Sequence, residues 1–98
     1  LILTQNIKNA LGSNISYLAT SSKDGKPNVV PVGFVEAVDD SHIMIVDVHM
    51  DKTRANLVEN DQVALAITDL TTQTAYQLKG HVKIVTFGKL FDRAIEIS

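Results

Sequence analysis

Ala75-Tyr76-Gln77-Leu78-Lys79-Gly80-His81-Val82-Lys83-Ile84-Val85-Thr86 is the stretch on which the fold turns. Tyr76, Leu78, Val82 and Ile84 alternate with Gln77, Lys79, His81 and Lys83, the period of a long β-strand with one buried and one wet face. Gly80 falls at its middle, where the lack of a side chain lets a strand bend and carry a sheet round a corner into a barrel.

Working outward, Gln62 to Thr68 reads as a strand joined to the long one by the polar loop Leu70 to Thr74. Ile43 to Val48 is another strand. Asp51-Lys52-Thr53 opens a short helix that runs through Leu57 and Val58 and ends at Asn60-Asp61. Further back, Ile15 to Thr20 and the valine-rich Asn28 to Val38 are strands flanking the turn signal Asp24-Gly25, and Asp39-Asp40-Ser41 turns the chain again. Pro31 and Gly33 interrupt the second strand. Proline cannot donate to a central ladder, so this stretch belongs at an edge, a bulge or a barrel corner. At the start, Leu3, Ile7 and Leu11 give a short amphipathic helix with Thr4 as its cap and Gly12 as a left-handed terminator. At the end, Leu90, Phe91, Ala94 and Ile95 within Lys89 to Ile97 have helical spacing. The order α-β-β-β-α-β-β-α, rich in hairpins, predicts a mainly β, α+β domain: a small antiparallel barrel or sheet with packed helices, and not a doubly wound parallel sheet.

The chain has 98 residues, 45% hydrophobic and 20% charged, with a net charge of −2. That is a single globular domain spanning residues 1–98, without the basic field that nucleic acid binding needs. A domain of this size hides only about 60 to 65% of its unfolded surface, so a partner subunit would help it. The absence of cysteine removes thiolate chemistry, disulfides and cysteine metal sites, and accords with a reducing compartment, the cytoplasm by default. Leu1-Ile2-Leu3-Thr4 lacks a signal peptide's basic head and apolar stretch, and no run approaches a membrane span, so neither secretion nor membrane insertion is expected. Without a secretory signal, the sequon Asn14-Ile15-Ser16 reads as chance.

For chemistry, the informative stretch is Ile43 to Thr53, a strand running into a helix that begins with a lysine and a hydroxyl. The first turn of a helix leaves amides unpaired and carries partial positive charge. Lys52 adds a full charge and Thr53 a hydroxyl, so the junction suits a phosphate. By spacing alone, such a pair is also a common solvated surface feature. No GxxxxGK[ST] or GxGxxG precedes or accompanies it, which removes nucleoside triphosphatases and Rossmann dinucleotide sites. There is no Gly-x-Ser-x-Gly elbow for a hydrolase. His42, His49 and His81 lie on different elements; only Asp47 with His49 puts two ligand types on one strand face, and no metal site is expected. Asp39-Asp40 is explained by turn chemistry.

Taken together, Tyr17-Leu18-Ala19-Thr20, then Asp24 to Val32, then the strand running into Lys52-Thr53-x-x-Asn56-Leu57, with Asn60, Val63-Ala64-Leu65 and Tyr76 to Val82 beyond, resemble the pyridoxamine 5′-phosphate oxidase-like FMN-binding split-barrel family. The resemblance covers nearly the whole chain. It implies a six-stranded split barrel, a homodimer with FMN in a groove between subunits, and an FMN phosphate held by Lys52 and Thr53. It places the flavin ring against the backbone of Val30, Pro31 and Val32 and of Val46, Asp47, Val48 and His49. It further implies an FMN-dependent oxidoreductase of unknown substrate. The alternatives are a non-enzymatic electron-transfer or flavin-storage protein, or a barrel that is empty or takes a deazaflavin or haem. The family's oxidases carry an arginine for the phosphate and a C-terminal arginine segment for the vitamer. Neither is present here, so pyridoxamine-phosphate oxidase activity itself is not expected. With a helix read at its end, the chain is expected to lack the family's last strand.

Overall fold

The computed structural model describes residues 2–46, 51–85 and 94–97. Along the chain lie α1 (Gln5–Ser13), β1 (Ser16–Ser21), β2 (Pro27–Val32), β3 (Val35–Ala37), β4 (Ile43–Val46), α2 (Asp51–Glu59), β5 (Gln62–Asp69), β6 (Thr74–Val85) and β7 (Ala94–Ile97). The strands form one seven-stranded sheet in the order β2-β1-β5-β6-β7-β4-β3, and every pairing is antiparallel.

β6 is the pivot. Residues Thr74 to His81 pair with β5 along one edge, and Val82 to Val85 pair with β7 along the other. The handover falls between His81 and Val82, one residue beyond Gly80, and it divides the sheet into the two halves of a split barrel. Leu18, Ile43, Ile45, Leu65 and Ile67 are almost completely enclosed and come from both halves, so the core lies inside the curl. α1 covers one part of it against β3 and β5, and α2 lies against β1 and β2.

α1 begins as its sequence dictates: Thr4 is extended, and its Oγ1 accepts a hydrogen bond from the Ile7 amide at 3.3 Å. Its end differs from expectation. The helix continues through Gly12 to Ser13 and stops at an extended Asn14, whose side chain donates to the Ala10 carbonyl at 3.0 Å. A side-chain amide does the capping, so no left-handed glycine is needed. The positive φ of 85° at Gly25 instead serves the β1–β2 turn, where the Gly25 amide donates to the Ser22 carbonyl at 3.0 Å.

Two further expectations are corrected. The strand read as Asn28 to Val38 is broken around Gly33 into β2 and β3, which lie at opposite ends of the strand order. The helix read over Lys89 to Ile97 is not what Ala94–Ile97 forms; those residues are β7, paired with both β4 and β6. Ile95 and Ile97 alternate with Glu96, and over so short a span that period coexists with helical spacing. These changes account for a sheet of seven strands.

The edge position foreseen for Pro31 is found, since β2 ends the strand order. Pro31 lies opposite Tyr17 and Pro27 opposite Ser21. Lacking an N–H, neither proline can exchange a pair of bonds with its neighbour, so these are the non-hydrogen-bonded positions of the ladder. The amides of Asn28, Val30 and Val32 therefore serve β1, and the prolines stand on the open side of β2, which is poor in donors and a bad template for another strand.

Candidate functional site

α2 crosses β1 and β2 with an inner face that is mostly polar. Thr53 is completely buried, Asn56 is 3% exposed and Leu57 is 6% exposed, the spacing of one helical stripe. Asn28 Nδ2 donates to Thr53 Oγ1 at 3.1 Å, and Asn56 Nδ2 donates to Thr20 Oγ1 at 3.1 Å. One turn further on, Asn60 Nδ2 donates to Ser21 Oγ at 2.9 Å, while its Oδ1 accepts from the Gln62 amide at 3.1 Å. The Lys23 amide in the β1–β2 turn donates to Glu59 Oε2 at 3.0 Å. Each of these three buried or part-buried side-chain amides thus meets a hydroxyl, as burial of polar groups requires.

At the other end, the first turn of α2 leads with Asp51, Lys52 and Thr53, and Lys52 is exposed. The helix start combines unpaired amides and partial positive charge with an accessible cationic side chain. Because Asn28 on the edge strand grips Thr53, this helix start is anchored to β2. The strand's Val30 is half-buried, Pro31 exposed and Val32 buried.

Of the residues singled out from the sequence, Val30, Pro31 and Val32 on β2 and Lys52 and Thr53 on α2 are therefore brought to neighbouring elements. Thr53 faces inward and accepts from Asn28, so Lys52 is the side chain that this pair offers to solvent. Val46 ends β4, opposite Ala94 of β7. Asp47, Val48 and His49 lie outside the described residues. Sequence reasoning missed the roles of Thr20, Ser21 and Asn28. For Thr20 and Asn28 the signal was parity: Thr20 continues the inward row of Ser16 and Leu18, and Asn28 that of Val30 and Val32, so polar side chains stand where the pattern demands apolar ones.

Elsewhere, a polar cavity of about 150 Å³ opens between α1 and the β5–β6 turn, lined by Asn6, Asn9, Asp69, Thr72, Thr74 and Tyr76. In the β3–β4 turn, Asp39 accepts from the Ser41 amide at 2.8 Å, and His42 Nδ1 lies 2.8 and 3.0 Å from its two oxygens. The Ser41 amide first, and then His42, hold the Asp39 carboxyl below its usual range. The sequon's Ser16 is fully buried, its hydroxyl without a partner among the described residues. Among the described residues there is no group of three or more side chains suited to a metal ion, and no helix is long and apolar enough to cross a membrane.

Comparison with known proteins extends this picture. A family model described as pyridoxamine 5′-phosphate oxidase matches residues 3–97. An uncharacterized protein of Methanocaldococcus jannaschii is 33% identical over 97 residues, which make up 97% of this chain and 64% of that protein. The chain thus spans a little under two thirds of that relative's length. Among solved structures, a Lactobacillus delbrueckii protein provisionally assigned as a pyridoxamine 5′-phosphate oxidase superposes with a TM-score of 0.88 at 23% identity, covering 99% of this chain and 89% of that one. An FMN-binding protein from Syntrophomonas wolfei gives 0.69 at 14% identity, covering 91% and 76%. The same architecture occurs in an F420 reductase, at 0.76 and 18% identity with 97% and 93% covered. It occurs too in a heme storage protein from Vibrio cholerae, at 0.68 and 16% identity with 99% and 89% covered. At these identities the structural likenesses establish the fold alone.

Proposed function

The chain belongs to the pyridoxamine 5′-phosphate oxidase family, and from that premise we propose that it binds FMN, with the phosphate at the start of α2, and acts as an FMN-dependent oxidoreductase. The observation that carries the reading is the exposed Lys52 beside the first-turn amides of a helix hydrogen-bonded to the edge strand β2. The donor set suits a phosphate: a mobile cation with three N–H groups, and backbone amides already aimed out of the helix. The proline-marked edge of β2, at Val30, Pro31 and Val32, is where a flat ring can approach main chain without competition from another strand. The reading also assigns ring contacts to the backbone of Val46 and of Asp47, Val48 and His49, the last three outside the described residues.

Bound FMN supplies hydride or electron transfer, and the protein's part is to bind, orient and exclude water. Lys52 neutralises the phosphate. Thr53, with Asn28, sets the direction of the helix start. The reading includes a homodimer in the cytoplasm with FMN at the subunit interface. Tyr17, Val29 and Pro31, exposed on one outward face of β1 and β2, offer apolar surface for the second subunit.

Purified protein is expected to carry or take up FMN with a bound-flavin absorbance spectrum. Lys52→Ala should weaken FMN binding by about one to two decades, the loss of a charge-assisted contact. Unchanged affinity in that variant overturns the phosphate assignment. A deazaflavin or haem spectrum in place of a flavin one overturns the choice of cofactor. Anaerobic mixing with NADH or NADPH then separates the enzyme from a flavin carrier: rapid bleaching supports turnover, and a flavin that stays oxidised with either donor counts against it.

A further inference from the structure

Asn28 meets the first turn of α2 at Thr53, and its position gives it leverage over the whole helix start. It lies on the edge strand, directly across from Thr20 of β1. Asn28 Nδ2 donates to Thr53 Oγ1 and Asn56 Nδ2 donates to Thr20 Oγ1, both at 3.1 Å. Two adjacent positions on the strands therefore hold two positions one turn apart on the helix. A single contact leaves a helix free to roll about it; two contacts fix both its rotation and its slide along the sheet. Hydrogen bonds do this more sharply than apolar packing because they weaken steeply with angle and distance.

Lys52 immediately precedes Thr53, so the side chain offered to solvent and the unpaired amides around it inherit their placement from the Asn28 contact. Thr53 is fully enclosed and Asn28 is partly so, which shields that contact from water. We propose that Asn28 is a positioning residue for phosphate recognition: it aims the first turn of α2 and Lys52 at the phosphate without touching the ligand. This rests on the FMN reading above.

The test compares FMN with riboflavin, which shares the ring and lacks the phosphate. Each is titrated into wild-type protein, Lys52→Ala and Asn28→Ala. Asn28→Ala is expected to lose about tenfold in FMN affinity, an amount equal to about 1.4 kcal/mol, while its riboflavin affinity stays at the wild-type value. Asn28→Thr is the second variant: threonine suits an edge strand, and its shorter side chain does not span to Thr53, so it should show the same selective loss in a well-folded protein. Full FMN preference in either folded Asn28 variant overturns the proposal. Equal loss of FMN and riboflavin overturns it too, because that is a structural role only. The underlying reading fails separately: wild-type protein that prefers FMN no more than riboflavin, or a preference untouched by Lys52→Ala, removes the phosphate from α2 altogether.

Discussion

α1 and α2 are each nine residues long and pack on the same sheet, but they are attached by opposite means. α1 turns Ile7, Ala10 and Leu11 toward the core, joined by Leu3 just before it. α2 turns Thr53 and Asn56 toward β1 and β2, followed by Asn60 just past its end, with Leu57 as the apolar member of its buried stripe. Apolar burial is non-directional and grows with area, so the α1 attachment is chiefly a source of stability. Hydrogen bonds between buried amides and hydroxyls add little net free energy, but they demand one geometry and penalise every other. The helix that stabilises and the helix that aims are different helices, and the aiming one carries Lys52.

The sharpest way to break this contrast is to truncate one anchor in each helix. Leu11→Ala should cost about 2 to 5 kcal/mol in urea unfolding, the range for deleting an enclosed leucine. Asn56→Ala should cost less, about 1 to 3 kcal/mol, for a Thr20 hydroxyl left without its donor in a buried place. The ligand response should run the other way. Asn56→Ala shifts FMN affinity in the folded protein, and Leu11→Ala does not. If the asparagine variant proves the less stable of the two, or if the leucine variant is the one that alters FMN binding, the division of labour is wrong.

The two helices also differ in how far the sequence discloses them. The apolar spacing of Leu3, Ile7 and Leu11 and the cap at Thr4 make α1 readable from local pattern, because burial and capping each act within a few residues. The long strand of β6, the turn at Gly25 and the edge position of Pro31 are legible for the same reason. The last two depend on what one residue type can or cannot do with its own backbone. β7 escaped because Ala94 and Ile95 continue a helical spacing that only pairing with β4 and β6 overrides. In α2, Lys52 and Thr53 stood out, whereas the contact that fixes them joins residues 25 positions apart. No periodicity records a hydrogen bond between a strand and a helix so distant in the chain. What local sequence does preserve is its trace, an asparagine and a threonine on inward strand positions where a core would take valine.

The smallest effect expected is electrostatic and sharpens the contrast from the side of α1. The β3–β4 turn holds the approach to that helix: the Leu3 amide donates to the Asp40 carbonyl at 2.7 Å, and Lys8 pairs with the Asp40 carboxylate. Asp39 organises the same turn, and the Ser41 amide and His42 keep its carboxyl below the usual range. A carboxyl whose pKa is lowered by folding binds fewer protons in the folded state than in the unfolded one between the two values. Its contribution is therefore complete above the ordinary aspartate value and disappears as pH falls through the lowered one. Asp39 is exposed, so solvent screening keeps the effect small. The stability difference between wild-type protein and Asp39→Asn should accordingly close on acidification, whereas the difference between wild-type protein and Asn56→Ala should stay level, because amides and hydroxyls do not titrate there. Unfolding curves at a series of pH values measure both. A wild-type to Asp39→Asn gap that persists unchanged into strong acid means that the ionised carboxylate adds nothing to the turn, and an Asn56→Ala gap that itself varies with pH means that α2 is held by something other than the neutral contacts described above.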